Sequence, residues 1–169
     1  ANWNIVSAQF KSVANNVSKT TNEDTDILIT LGEGATIVSG SGPSYGSVSP
    51  ISAEVYRYSP NSNYNGEDSF TYKFVETETG IDDSDTKTVT VTVNSVNDAP
   101  TITSTEVTSA TEDAAYTYTF VASDVDGGDT VTLSCPTEPD WLTFVPETGV
   151  LSGTPLNANV GTVGNSVTL

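Results

Sequence analysis

Four short segments of this sequence carry side chains that could gather hard oxygen donors: Glu23-Asp24, Glu67-Asp68, Asn97-Asp98 and Asp124-Val125-Asp126-Gly127. Carboxylate and amide oxygens suit calcium, which takes roughly six to eight of them. The sequence has no histidine and one cysteine, Cys135, so the nitrogen and sulfur donors of zinc, copper and iron sites are missing. Magnesium keeps its waters and rarely sits in an all-protein cage. Asp124-Val125-Asp126 sets two carboxylates on one side of an extended loop, and Gly127 permits the turn back. It is not an EF-hand loop, which ends on a glutamate, because Cys135 stands at that position. Taken alone, an Asp-x-Asp-Gly segment is a plain turn more often than a site. Set opposite Asn97-Asp98, it becomes a candidate ligand pair.

Other chemistries are poorly served. Without histidine there is no Ser-His-Asp or Cys-His nucleophile system, and no Gly-rich phosphate loop is present. Paired carboxylates can hydrolyse glycosides, but a small sandwich module has no room for the cleft they need. The chain is therefore expected to be non-catalytic. Its 22 acidic residues against 5 basic ones leave a net charge of −17. Such a surface repels phosphate backbones and anionic membranes, which excludes nucleic acid as a partner. No apolar run is long enough to span a membrane. Lone Cys135 forms no intrachain disulfide and reads as a small buried hydrophobe.

Strands must position the donors. The run Thr86-Lys87-Thr88-Val89-Thr90-Val91-Thr92-Val93 alternates valine with threonine, as a half-buried antiparallel strand does. Similar runs are Asp26–Leu31, Glu54–Tyr58 and Phe70–Phe74, split by Gly, Pro, Asn and Asp. No segment has a 3.6-residue period, so essentially no helix is expected. Seven strands are predicted near 15–21, 25–31, 35–39, 45–52, 53–59, 68–76 and 86–96. If their directions alternate, the loops carrying Glu23 and Asp68 lie at the end where the chain leaves for Asn97 and Asp98. The Asp124–Asp126 loop of the next unit faces the same junction. The predicted cage is thus Glu23, Asp68, Asn97, Asp98, Asp124 and Asp126, with Asp24 or Glu67 as substitutes. The more conspicuous run Glu76, Glu78, Asp82, Asp83 and Asp85 falls at the opposite end, as a solvated hairpin loop or, as the alternative, a weaker cation site shared with a preceding module.

Thr20-Thr21-Asn22-Glu23-Asp24-Thr25 is echoed one module later by Ala110-Thr111-Glu112-Asp113-Ala114, each followed by an apolar strand. Repetition at that spacing suggests an array of modules of about 100 residues. The second copy is shorter and is expected to lack its last strands. Either the segment is a piece of a longer chain, or another chain supplies them; Trp3–Phe10 of a neighbour could do so and build a filament.

The motifs are familiar. Thr21-Asn22-Glu23-Asp24-Thr25, Tyr58-Ser59-Pro60, Tyr64-Asn65-Gly66-Glu67-Asp68-Ser69-Phe70-Thr71-Tyr72 and Val96-Asn97-Asp98-Ala99-Pro100 resemble the bacterial cadherin-like repeat of large surface proteins and adhesins. Ala122-Ser123-Asp124-Val125-Asp126-Gly127, Trp141-Leu142 and Thr148-Gly149-Val150-Leu151-Ser152-Gly153-Thr154-Pro155 resemble the dystroglycan-type cadherin-like, immunoglobulin-related module. Two departures stand out: Gly128 is extra in the acidic loop, and Gly32-Glu33-Gly34 replaces an Asp-x-Asp-Gly loop in the first module. The resemblance implies an all-β chain of two tandem Greek-key β-sandwiches, cadherin- and immunoglobulin-like, the second incomplete. Residues 1–11 would be a strand of a preceding module, 12–98 the first module and 99–169 the second. The implied role is a Ca2+-rigidified extracellular spacer or adhesin repeat of a bacterial cell-surface or secreted protein. Its partners would be neighbouring repeats of the same chain. A carbohydrate- or cell-surface-binding module, or a filament subunit completed by strand exchange, is the alternative.

Overall fold

The computed structural model describes residues 14–74 and 85–161. The expectations placed on residues 1–11, and on Glu76, Glu78, Asp82 and Asp83, lie outside the described residues. The chain divides into two compact units, Ala1–Val96 and Asn97–Leu169.

In the first unit the Val/Thr, Tyr and Phe alternations become strands: β1 (Val17–Asn22), β2 (Ile27–Thr30), β3 (Ala35–Ile37), β4 (Gly46–Pro50), β5 (Val55–Pro60), β6 (Gly66–Phe74) and β7 (Lys87–Asn94). They form one sheet in the order β1-β7-β6-β3 and a second in the order β2-β5-β4. Only β4–β5 and β6–β7 are neighbours in both chain and sheet; every other connection crosses between sheets, which makes the unit a Greek key. β1 runs parallel to β7, from Val17 opposite Val89 to Asn22 opposite Asn94, and the remaining pairs are antiparallel. Strand directions therefore alternate along the chain. The turns after β1, β3 and β5 share one end with the exit from β7.

Period-2 burial decides which side chains fill the core. Val89, Val91 and Val93 of β7 are buried against Phe70, Tyr72 and Phe74 of β6, and Ile29, Tyr56 and Tyr58 come from the other sheet. Each such side chain contributes about 1.5–3 kcal/mol of transfer free energy. The tyrosine hydroxyls carried inward find acceptors: Tyr56 donates to Ala35 O at 2.6 Å and Tyr72 to Asn15 O at 2.8 Å. Arg57, on the outer face of β5, pairs with Asp26 at 3.6 Å.

The second unit contains β8 (Thr101–Ile102), β9 (Tyr116–Thr119), β10 (Ala122–Ser123), β11 (Leu142–Val145) and β12 (Val150–Gly153), then a 3-10 turn over Asn157–Asn159. β8 pairs with β10, and β9-β12-β11 form a three-stranded sheet. Among the described residues its core comprises Tyr118, Phe120, Leu142 and Leu151, with Tyr116, Leu133, Trp141 and Phe144 packed at its margin. A cleft of 1120 Å³ opens along this core, bordered by Tyr116, Tyr118, Trp141 and Leu151. Among the described residues, Trp141 Nε1 is buried there with no hydrogen-bond partner.

Gly46, at the start of β4, tests the packing of the first unit. A Cβ there would lie 2.6 Å from Ser59 O and 2.8 Å from the Tyr58 ring. Because the nearest atom is backbone, Gly46→Ala should cost about 1–3 kcal/mol, measured as a lowered urea midpoint.

Candidate functional site

At the exit end of the first unit, Asp24 takes a left-handed conformation (φ 55°) in the turn after β1. Thr25 N–H donates to Asn22 O at 3.3 Å, and Thr21 Oγ1 donates to Thr25 O at 2.9 Å. Aspartate tolerates this region because its short side chain bonds locally. Glu23 N–H continues the β1/β7 ladder by donating to Asn94 O at 2.9 Å. The Glu23 side chain then folds inward, only 4% exposed, and its Oε1 accepts the Val96 N–H. This carboxylate clamps the chain where it leaves β7. Asp24 Oδ1 accepts from Asn63 N–H at 3.2 Å, joining the β5–β6 turn to the same end.

In the second unit, Asp126 Oδ2 accepts the Asp98 N–H at 2.6 Å. Asp124 Oδ1 accepts the Asp126 N–H at 3.0 Å, an Asx turn, and Asp129 N–H donates to Asp126 O at 3.3 Å. Gly128 absorbs a φ of 115° in that loop, so the extra glycine lets the loop turn. Asn97 Nδ2 donates to Asp98 O. Asp98, Asp124 and Asp126 are thus gathered by hydrogen bonds within one unit, and Glu23 is held beside Val96 in the other.

Asp68 departs from the expected cage. Its carboxylate is 5% exposed and carries four donors. Oδ1 accepts from Ser44 N–H and Ser69 N–H, both at 2.9 Å; Oδ2 accepts from Tyr45 N–H at 3.0 Å and the Tyr58 hydroxyl at 2.9 Å. A carboxylate has about four lone-pair sites, so Asp68 is spent on the fold. The signal was present in the sequence: Asp68 shares strand parity with Phe70, Tyr72 and Phe74, so its side chain had to point with theirs. By contrast, among the described residues no donor reaches Glu23 Oε2 or Asp126 Oδ1. No group of three or more acidic or thiol side chains among the described residues is drawn together tightly enough to hold an ion as it stands.

The strand order, the cross-sheet connections and the paired units admit direct comparison with known proteins. Residues 9–94 match the model of the bacterial Ig domain, and residues 99–169 match that of the "Putative Ig domain". The chain belongs to the bacterial Ig domain family. Cadherin domains share the immunoglobulin sandwich architecture, so two such modules in tandem account for both sets of motifs. Among solved structures, the chain is similar to the endo-fucoidan hydrolase MfFcnA4 from glycoside hydrolase family 107, with 26% and 25% identity in two structures, 89% of this chain and 24% of that one covered, and a TM-score of 0.35. It is also similar to Drosophila N-cadherin EC1-4, with 15% identity, 84% of this chain and 40% of that one covered, and a TM-score of 0.48. The chain therefore spans well under half the length of these proteins. No curated protein matches significantly. Among the described residues, no helix is long and apolar enough to cross a membrane.

Burial first, then the adjoining Asp68 carboxylate, raise the Tyr58 pKa above its ordinary 10.0. The folded state therefore favours the neutral phenol. That stability is complete below pH 10 and is lost as pH rises through the ordinary tyrosine range toward the higher folded value. Tyr58→Phe should cost about 1–2 kcal/mol at neutral pH and flatten the alkaline decline, read from urea midpoints between neutrality and strong alkali. Asp68→Ala leaves four donors without their acceptor and should cost more, about 3 kcal/mol, by the same measurement.

Proposed function

We propose that this chain is a calcium-stiffened spacer of a large extracellular bacterial surface or secreted protein, with no catalytic role. One observation carries the reading. A carboxylate accepts a backbone N–H at the last residues of one unit and at the first residues of the other: Glu23 that of Val96 in the first unit, and Asp126 that of Asp98 in the second. Each keeps one further oxygen for a cation. We assign Glu23, Asn97, Asp98, Asp124 and Asp126 to calcium and leave out Asp68.

The donor chemistry supports the choice of metal, since every candidate ligand is a hard oxygen. Charge supports the consequence. Carboxylates brought close without a cation repel one another, and a bound divalent ion turns that repulsion into attraction. A chain at −17 would then change its stiffness with calcium, which suits repeats that must extend from a cell.

Calcium at 100 times its dissociation constant should stabilise the protein by about 2.7 kcal/mol, seen as a raised melting temperature that a chelator reverses. Small-angle scattering should show a more extended chain with calcium than with chelator. Asp126→Asn and Asp98→Ala should each mimic the chelator. Equal melting temperature and shape with and without calcium would sink the proposal.

A further inference from the structure

Beyond stiffening, the first unit carries a flat aromatic surface held in place by the fold. Tyr45 and Tyr64 stack face to face, with ring centroids 4.3 Å apart and planes 4° from parallel. Tyr45 remains 50% exposed. Tyr64 covers one face of the ring, which leaves its opposite face and its edge to carry that exposure.

Both residues are anchored, Tyr45 through its backbone and Tyr64 through its backbone and its hydroxyl. Tyr45 N–H donates to buried Asp68, and Tyr45 O accepts from Asn61 N–H at 2.8 Å. Tyr64 N–H donates to Asn61 O at 3.1 Å, and the Tyr64 hydroxyl donates to Glu67 O at 2.7 Å. Gly66, at φ 134°, leaves space where a Cβ would come 3.0 Å from the Tyr64 hydroxyl oxygen. A stiff, half-exposed aromatic offers contact area at little entropic cost on binding.

We propose that the outer face of Tyr45 is a stacking platform for a neutral sugar ring, a glycan-binding subsite of the first unit. The C–H-bearing face of a pyranose matches a flat aromatic in size and presents weakly positive hydrogens to its negative face. Exposed Asn61, Ser62 and Asn65 on the adjoining turn offer amides and a hydroxyl that suit sugar hydroxyls. Charge selects among glycans: exposed Glu67 beside Tyr64, and the net −17, disfavour sulfated or uronic acid polymers.

Native gel electrophoresis of the whole chain in gels containing barley β-glucan, laminarin, xyloglucan, galactomannan or xylan tests this, with carrageenan as the sulfated control. At least one neutral polymer should retard the protein. Tyr45→Ala should weaken that affinity about tenfold, while Tyr45→Phe and Tyr45→Trp preserve it. Circular dichroism of all three variants checks that the fold is kept. Retardation should persist in chelator, which separates this proposal from the calcium reading. The proposal is overturned if no neutral polymer retards the wild type. It is overturned equally if folded Tyr45→Ala is retarded as strongly as wild type, if Tyr45→Phe fails as Tyr45→Ala does, or if only carrageenan retards the protein.

Discussion

A carboxylate taken out of water has to be compensated from within the protein, and Asp68 imposes that requirement on one end of the first unit. An unpaired buried charge costs several kcal/mol, so donors must be brought to it. Two come from the backbone of Ser44 and Tyr45, one from Ser69, and one from the Tyr58 hydroxyl. That demand fixes the approach of the β3–β4 connection to the start of β6. It also explains why β4 begins on Gly46: with the preceding residues bonded to Asp68, the chain passes against Ser59 and the Tyr58 ring, where a Cβ has no room. Tyr45 is left with its backbone anchored and its ring turned onto Tyr64. One buried charge thus organises a loop, a strand start and an aromatic pair.

The same accounting sorts the acidic residues by role. Asp68 is surrounded by donors and has no capacity left for a cation. Glu23 is equally buried but accepts a single described N–H, that of Val96, and Asp126 accepts that of Asp98. Burial alone would class Asp68 with Glu23. The number of donors on each separates them, because a carboxylate whose acceptor sites are mostly unfilled by described donors is the kind that gains from a divalent ion.

Much of the first unit was legible in the sequence because its signals are local. Thr88–Val93 alternates without interruption, and valine on one face with threonine on the other has one stable placement in a sandwich. Each of the seven strands was located with its ends shifted by a few residues at most. Direction alternation then put the turn at Glu23 and the exit at Val96 at the same end, and the Glu23–Val96 bond joins them. The error on Asp68 arose from treating it as a loop residue, when β6 already begins at Gly66. Once inside a strand, parity governs, and the position two before Phe70 faces inward. The Tyr45–Tyr64 stack was not legible, since it depends on two connections meeting through backbone bonds to Asp68 and Asn61.

The echo between the units shows how far a repeated motif carries its role. Asp24 and Asp113 have the same left-handed φ, 55° and 56°, and each turn closes with a matching bond, Thr25 N–H to Asn22 O and Ala114 N–H to Thr111 O. The backbone device is conserved within the chain because it depends only on a short acidic residue in a tight turn. The glutamate before it is not used alike. Glu23 is buried on the Val96 amide, whereas Glu112 is exposed and the neighbouring Asp113 N–H bonds to Pro155 O. In the first unit the Glu23 clamp holds the chain as it departs from β7. The motif specifies the same turn in both units, while its glutamate is buried on a backbone amide in one and exposed in the other.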